Sequence, residues 1–407
     1  MSKKKSLLFV TTELPWPSDS GGRIKTFRLV QFLSSHFDVN LVCAHGSEDG
    51  KTLGTLREKS GVKSVQVFGA FRKRTAFNWF MAVMQFPTFN SFRVYSKRLE
   101  SMLKWGIQKS DIVIIDHLEM FEMIDVKMVP KVIYHSHNAE FKLWRDYAKL
   151  GRNPVVKWLL EWEAKRVKLF ERWVIKTSQF TFMAPNDSEL AKTELGIKDE
   201  KFNLTYHLGN DDLLQGETVN LKQSKKQIFY SGTLSWTPNA DGIDWFIDNC
   251  WPKVIQSHPD AELVICGKGA DQKLKNKLLN TSNIYFKGFV DDLEPLMSES
   301  RCAIVPLRFG SGMKIKTFDA MYKGLPIVST SIGAEGIEVE NGKHLLIAND
   351  PETFSIQVIQ ILEDDILATT LAENSRRLAQ DKYTYTHIFS LMLAKLKPNN
   401  EIQSQDI

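Results

Sequence analysis

Short apolar runs alternate with longer helical patterns along the whole chain. In the first half the runs are SLLFV (6–10), VNLVCA (39–44), DIVIID (111–116) and KVIYHSH (131–137). In the second half they are QIFYSG (227–232), AELVICG (261–267), NIYFKG (283–288) and CAIVPL (302–307). Several are continuous and rich in β-branched residues, the pattern of parallel strands buried on both faces rather than strands with one wet side. Between them the spacing predicts helices over about 24–35, 241–255, 271–279 and 291–300, and a C-terminal helical pattern over about 366–396 broken near 382–386. Strand–helix alternation repeated in both halves predicts an α/β chain with two doubly wound, Rossmann-like domains.

The length of 407 residues fits two domains better than one core. The stretch 196–226 is polar, holds Gly and Asn, and contains one short strand-like patch, so the join is expected there. The expected organisation is an N-terminal domain over 1–205, a C-terminal domain over 206–380, a helix over 381–397 that packs back toward the first domain, and a disordered tail over 398–407.

Composition narrows the function mainly by exclusion. The net charge of +5 is spread without a long basic run carrying base-stacking aromatics, so no nucleic-acid partner is expected. The apolar run after MSKKK reaches a Glu and a Pro too soon for a signal peptide, and no window is long and apolar enough to span a bilayer. Cys43, Cys250, Cys266 and Cys302 lie far apart with no CxxC pair, which disfavours a zinc site and a disulfide framework and fits a reducing cytoplasm. One region, 71–106, mixes Phe, Trp and Met with Arg and Lys. It reads either as core aromatics beside half-exposed basic residues or as a surface for peripheral contact with an anionic membrane face.

Ligands of doubly wound sheets bind outside the carboxyl ends of strands, and four stretches meet that condition. After the first strand, Gly21 and Gly22 precede a helix, where backbone can approach a phosphate and the helix dipole favours an anion; a flexible glycine helix start is the plain alternative. The run is not GxGxxG, which weakens a nicotinamide reading. In IYHSHNAEF, His135 and His137 share a strand face and suit a sugar hydroxyl or a charge, or are ordinary core histidines; a further metal ligand is not evident, so no metal site is expected. In YSGTLSWTPNADG, Gly232 and Thr233 end a strand and Asn239, Asp241 and Gly242 open a helix, a turn that suits phosphate or simply caps the helix. In RFGSGMKIKTFD, Gly310, Ser311, Gly312 and Met313 form a glycine loop. Arg308, Lys314 and Lys316 bring positive charge for a diphosphate, and Asp319 stands one helical turn after Lys316. A carboxylate there suits the vicinal diol of a ribose, or pairs with Lys316 or Lys323 on the helix surface.

FDAMYKGLPIVSTSIGAEGIEVENGKHLLI, YSGTLSWTPNADGIDWF and IYFKGFVDDLEPLMSESRCAIVPLRFGSG resemble the blocks of the family-4 glycosyltransferases. TELPWPSDSGGRIKTF, HSHNAEF and FMAPNDSELAK resemble the N-terminal half of that family more distantly. The resemblance implies a GT-B fold, two facing Rossmann-like domains with the donor in the cleft. It implies a retaining, metal-independent hexosyl- or glycosyltransferase with no cofactor, taking a nucleotide-diphosphate sugar as donor and a saccharide or lipid-linked saccharide as acceptor. The setting it implies is bacterial surface polysaccharide or lipopolysaccharide assembly in the cytoplasm, at or near the inner membrane face. Carried over by motif, Asp319 holds the ribose hydroxyls, Gly21 and Gly22 approach the donor phosphates, His137 lies at the donor sugar with His135 as the fallback, and Gly288, Phe289 and Val290 form a turn near the base. Two positions depart from the family pattern. Ser311 stands where the first acid of the Glu-x7-Glu pair is usual, and Thr233 and Pro238 occupy the region of the usual Arg/Lys pair. A branch with a glycine-rich basic loop is therefore expected, with Lys314 and Lys316, helped by Arg308, replacing the missing cations. A non-catalytic sugar-nucleotide-binding protein is the alternative.

Overall fold

The computed structural model describes residues 4–73, 75–149, 153–206, 211–310 and 312–397. Ser311 and the tail expected to be disordered, 398–407, lie outside the described residues. The chain forms two compact units, Met1–Tyr206 with Phe389–Ile407, and His207–Ile388.

The first unit is built on seven parallel strands: β1 (Ser6–Glu13), β2 (Asp38–His45), β3 (Ser64–Val67), β4 (Ile112–Ile115), β5 (Ile133–His135), β6 (Thr181–Met183) and β7 (Phe202–Leu204), in the order β3-β2-β1-β4-β5-β6-β7. β1 is the hinge of this order. Its Leu7 to Val10 pair with both Val39–Val42 of β2 and Ile112–Ile115 of β4, so Leu7, Leu8, Phe9 and Val10 are almost fully buried. Leu8, Val10, Val42, Ile115, Tyr134 and Phe121 join one continuous core with Val174 and Ile175 of the long helix Pro154–Thr177. Burial of each such side chain contributes about 1.5–3 kcal/mol.

The second unit repeats the plan with β8 (Gln227–Ser231), β9 (Glu262–Cys266), β10 (Ile284–Gly288), β11 (Cys302–Val305), β12 (Ile327–Ser329) and β13 (Leu346–Ile347), in the order β10-β9-β8-β11-β12-β13. All its pairings are parallel. The α/β class follows in both halves. The two places where strand order reverses are β1/β4 in the first unit and β8/β11 in the second.

Prolines account for the main differences from the expected helix bounds. The helix expected over 241–255 is two helices, Thr237–Asn249 and Trp251–Ser257, broken at Cys250. Pro252 has no N–H to continue the first helix and suits the opening turn of the second. Likewise the helix expected from about 291 starts at Glu294, with Pro295 in its first turn. The C-terminal pattern breaks where expected, into Asp365–Lys382 and Tyr385–Leu396. The second of these ends in the first unit, where Phe389 stacks on Phe32 with ring centres 4.6 Å apart.

The aromatic region 71–106 divides in two. Trp79 stacks on the buried Phe89 at 4.3 Å, and Phe86 packs edge-on to Phe92. On the same helix, Ala76–Gln85, Phe77, Phe80 and Met84 are 70%, 62% and 67% exposed, and only Ala82 is buried.

Candidate functional site

In the second unit, the loops leaving β8 and β11 flank the reversal point. Gly232 follows β8 and donates its N–H to Cys266 O at 2.9 Å. It has no room for a side chain, because a Cβ there would fall 2.6 Å from Lys316 Nζ and 2.9 Å from Asn239 Nδ2. Asn239 is held by its own amide, which donates to Thr233 O at 3.0 Å, and by its carbonyl, which accepts from the Tyr230 hydroxyl at 3.1 Å. Lys316 Nζ reaches across from helix Ile315–Lys323 to donate to Asn239 Oδ1 at 2.9 Å, and lies 4.2 Å from the centre of the Tyr230 ring. Burial, with a smaller push from Lys314, lowers its pKa from 10.5 to about 7. The helix that carries Lys316 has no side-chain cap and no acid in its first turn, so its N-terminal N–H groups and dipole favour an anion.

The other residues expected in this loop have their own partners. Arg308 makes a two-pronged pair with Asp241, Nε to Oδ2 at 2.8 Å. Lys314 is buried, donates to Gly312 O and lies 3.8 Å from Glu335 Oε2. Gly310 and Gly312 have φ of +125° and +75°, which glycine adopts without strain. Met313 is buried beneath Gly336, where a Cβ would fall 2.7 Å from Met313 Cγ. Asp319 is half-buried one turn after Lys316. At the end of β10, Gly288 has φ of +65°, Phe289 is exposed beneath Lys268, whose Nζ is 5.7 Å from the ring centre, and Val290 is half-buried. Tyr230 and Glu335 were not singled out from the sequence. Glu335 lies inside the GAEG run that carries the resemblance, which was the available signal.

In the first unit, the reversal point holds a buried polar cluster. Gly21 and Gly22 open helix Gly21–His36, exposed and with no side-chain cap from Ser20. Asp116 follows β4 and is fully buried. Its Oδ1 meets His135 Nδ1 and, at 3.0 Å, His137 Nε2; its Oδ2 accepts from Thr26 Oγ1 at 2.6 Å and Thr11 Oγ1 at 3.3 Å. The His117 ring stacks on His137 at 4.5 Å. Lys25, also buried, donates to Ser136 O at 3.3 Å, and burial lowers its pKa to about 8 against the raising effect of Asp116 and Asp187. Burial alone would raise the Asp116 carboxyl, but His137 and His135 hold it well below the usual range. Burial lowers His137 to about 4 and raises Glu140 to about 8, the latter helped by Glu119. His135 and His137 thus share one carboxylate. Asp116 and Lys25 were not found from the sequence, because nothing in a lone Asp at a strand end or a Lys in a helix announces a partner about a hundred residues away.

Asp116, His135 and His137 offer three atoms within 4.8 Å of one another, a spacing that a divalent ion could use. The hydrogen-bond set argues for a different occupation of that space: two threonine hydroxyls already donate to the carboxylate, and the buried Lys25 ammonium acts on it from nearby. A cation would face an ammonium in low dielectric.

Both units have the Rossmann-like form of the GT-B fold. Over 96% of its length the chain resembles the crystal structure of Anabaena Alr3699/HepE in complex with UDP-glucose, covering 99% of that chain with a TM-score of 0.69 at 14% identity. It also resembles WaaG, a glycosyltransferase involved in lipopolysaccharide biosynthesis, with a TM-score of 0.68 at 14% identity over 94% of this chain and 98% of that one. Residues 225–364, which hold the β8/β11 site, match the family model described as Glycosyl transferases group 1. A protein of the cps region of Klebsiella pneumoniae, itself uncharacterised, is 23% identical over 94% of this chain and 98% of its own length. The family match and the fold together support a glycosyltransferase.

Proposed function

We propose that the protein is a retaining, metal-independent glycosyltransferase that moves a sugar from a nucleotide-diphosphate donor to a hydroxyl of a saccharide or lipid-linked saccharide. The observation that carries this reading is the Gly232–Asn239–Lys316 cradle, a side-chain-free approach with a cation and an uncapped helix N-terminus at the reversal point of the unit that matches the family model. Lys316 neutralises the diphosphate as charge develops on the leaving oxygen. It reaches from helix Ile315–Lys323 into the β8 loop, where the usual Arg/Lys pair is missing. Lys314, through Gly312 and Glu335, shapes the loop, and Arg308 orders it through Asp241. Asp319 takes the ribose diol, Gly288, Phe289 and Val290 the base, and His137 a hydroxyl of the donor sugar. The acceptor hydroxyl attacks from the face of the leaving group, and the departing phosphate takes its proton; no covalent enzyme intermediate and no metal are needed.

The pathway we assign is bacterial surface polysaccharide or lipopolysaccharide assembly at the cytoplasmic face of the membrane. The support is the cps-region relative and the exposed apolar face of helix Ala76–Gln85, in a stretch of the sequence that also carries the exposed Lys73, Lys97, Arg98 and Lys104. No described helix is long and apolar enough to cross a membrane, so contact through that face is peripheral. A panel of nucleotide sugars with saccharide acceptors, read as nucleoside diphosphate released and glycoside formed, tests the reading. Release with transfer from one donor and retention of its anomeric configuration is the expected result. Tight donor binding without turnover would instead indicate the non-catalytic alternative, which the missing first acid favours.

A further inference from the structure

We propose that Asn239 is a positioning residue: it holds the Lys316 amine at the β8/β11 reversal point through a neutral oxygen, so that the amine has no anionic partner until a diphosphate binds. This rests on the role of Lys316 proposed above. The orientation of the Asn239 amide follows from its partners. Thr233 O only accepts, so Nδ2 faces it at 3.0 Å, and Oδ1 is left to accept from Lys316 Nζ at 2.9 Å. An amide turned the other way would set an N–H against the amine and an oxygen against a carbonyl. The backbone of Asn239 is pinned as well. It lies buried in the first turn of helix Thr237–Asn249, donates its N–H to Trp236 O at 3.0 Å and accepts the Tyr230 hydroxyl on its carbonyl. The Cβ that Gly232 lacks would fall 2.6 Å from Lys316 Nζ and 2.9 Å from Asn239 Nδ2, so the two groups meet only because this position is glycine.

A lysine drawn out of water is ordinarily paired with a carboxylate. Lys316 pairs with none among the described residues; its contacts are the Asn239 amide and the face of the Tyr230 ring. The acids nearby are engaged elsewhere. Asp241 forks onto Arg308, and Glu335 lies 3.8 Å from Lys314. Tyr230 supplies no counter-charge, because burial raises its phenol far above the ordinary value and keeps it protonated. Its ring attracts a cation without neutralising it. The one charge that acts on the amine is that of Lys314, which opposes protonation.

The choice of amide over acid has a consequence for the ligand. A carboxylate at position 239 would neutralise the amine in the resting protein, and an incoming diphosphate would have to displace it. The amide fixes the same nitrogen and leaves its charge uncompensated, so the full electrostatic gain appears when the diphosphate arrives.

Two measurements test the proposal. Competitive acetylation read by peptide mass spectrometry, with no ligand present, follows the Lys316 amine as it becomes a free base. In the wild type the midpoint should lie near pH 7, well below the ordinary lysine value of 10.5. A midpoint at the ordinary value would show that the amine has a counter-charge and would overturn the proposal. In Asn239→Asp the midpoint should rise by about two pH units or more. An unchanged midpoint there would show that residue 239 does not hold the amine. The second measurement is a double-mutant cycle on calorimetric affinity for uridine, guanosine, cytidine or adenosine diphosphate, whichever binds best. Asn239→Ala should weaken binding about three- to tenfold beside Lys316 and less than about twofold beside Lys316→Met. Losses of equal size in both backgrounds would make Asn239 a helix-turn cap alone and contradict the positioning role. The wild-type midpoint and the alanine cycle decide the matter even if Asn239→Asp does not fold. Midpoints as expected in a protein that binds none of the four diphosphates would leave Asn239 as the holder of Lys316 and defeat the proposed function instead.

Discussion

Lys316 holds its amine where charge is expensive. Burial, and then Lys314, bring its pKa down to about 7, so at neutral pH it is about half protonated. A bound diphosphate favours the charged form, and binding above pH 7 should therefore take up a proton. Calorimetry of nucleoside diphosphate binding at pH 8 in buffers of different ionisation enthalpy should show an uptake approaching one proton, lost in Lys316→Met. The same depressed pKa fixes the sign of its stability contribution. Between about pH 7 and 10.5 the unfolded chain binds more protons at this position, so the contribution rises with pH across that window and is smallest below it. Gly232→Ala probes the cradle from the other side. Its Cβ would fall 2.6 Å from Lys316 Nζ, whose flexible stem can yield, so the fold should persist while diphosphate affinity drops about 10- to 100-fold, the worth of one charge-assisted hydrogen bond. A circular dichroism melt beside a titration separates the two effects. At this scale the sequence was informative where function compresses residues into one stretch, as at Arg308–Asp319. It was silent where chemistry is assembled across the chain. Asp116 gains its meaning only from Thr11, His135 and His137, which parallel pairing of β1, β4 and β5 brings together, and from Thr26 on helix Gly21–His36.

At the scale of elements, two loops and one helix give separable effects. The loop 312–314 and the turn 333–336 lock together through Lys314, Glu335 and the close approach of Gly336 to Met313. Removing Lys314 leaves the half-buried Glu335 without that cation, so Lys314→Ala should cost about 3 kcal/mol of stability as well as activity. Lys316→Ala should lose activity at nearly unchanged stability, since it removes a desolvated amine. Chemical denaturation of the two variants distinguishes a shaping lysine from a ligand-binding one. Helix Ala76–Gln85 makes a different prediction. With Phe77, Phe80 and Met84 exposed in a stretch that also carries exposed Lys73, Lys97, Arg98 and Lys104, the protein should float with vesicles rich in phosphatidylglycerol and not with phosphatidylcholine alone. A Phe77→Ser, Phe80→Ser, Met84→Ser variant should lose that binding; unchanged flotation, or conversion of a dimer to a monomer, would point to another occupant. Aromatic composition left core and surface both open in this segment. The outcome depends on which face Trp79 turns to Phe89, and periodicity within a helix rich in apolar residues on every side does not specify that.

At the scale of the molecule, the alternation of apolar runs and helical patterns was enough for the α/β class and for strand ends that carry ligand loops. It was enough because buried parallel strands leave long β-branched runs. Short strands such as β3 and β6, four and three residues long, leave too little pattern to be seen alone. The two reversal points required the strand order itself. One of them gathers the Gly232–Asn239–Lys316 cradle, and the other a carboxylate with two histidines. We propose that the cradle at the β8/β11 reversal point binds the donor's diphosphate. Titration of wild type and Lys316→Ala with a panel of nucleoside diphosphates by calorimetry tests it most directly. The expected result is measurable binding of at least one of them to the wild type and a loss of tenfold or more in the variant, with its melting curve unchanged. Equal affinity in the two proteins would contradict it.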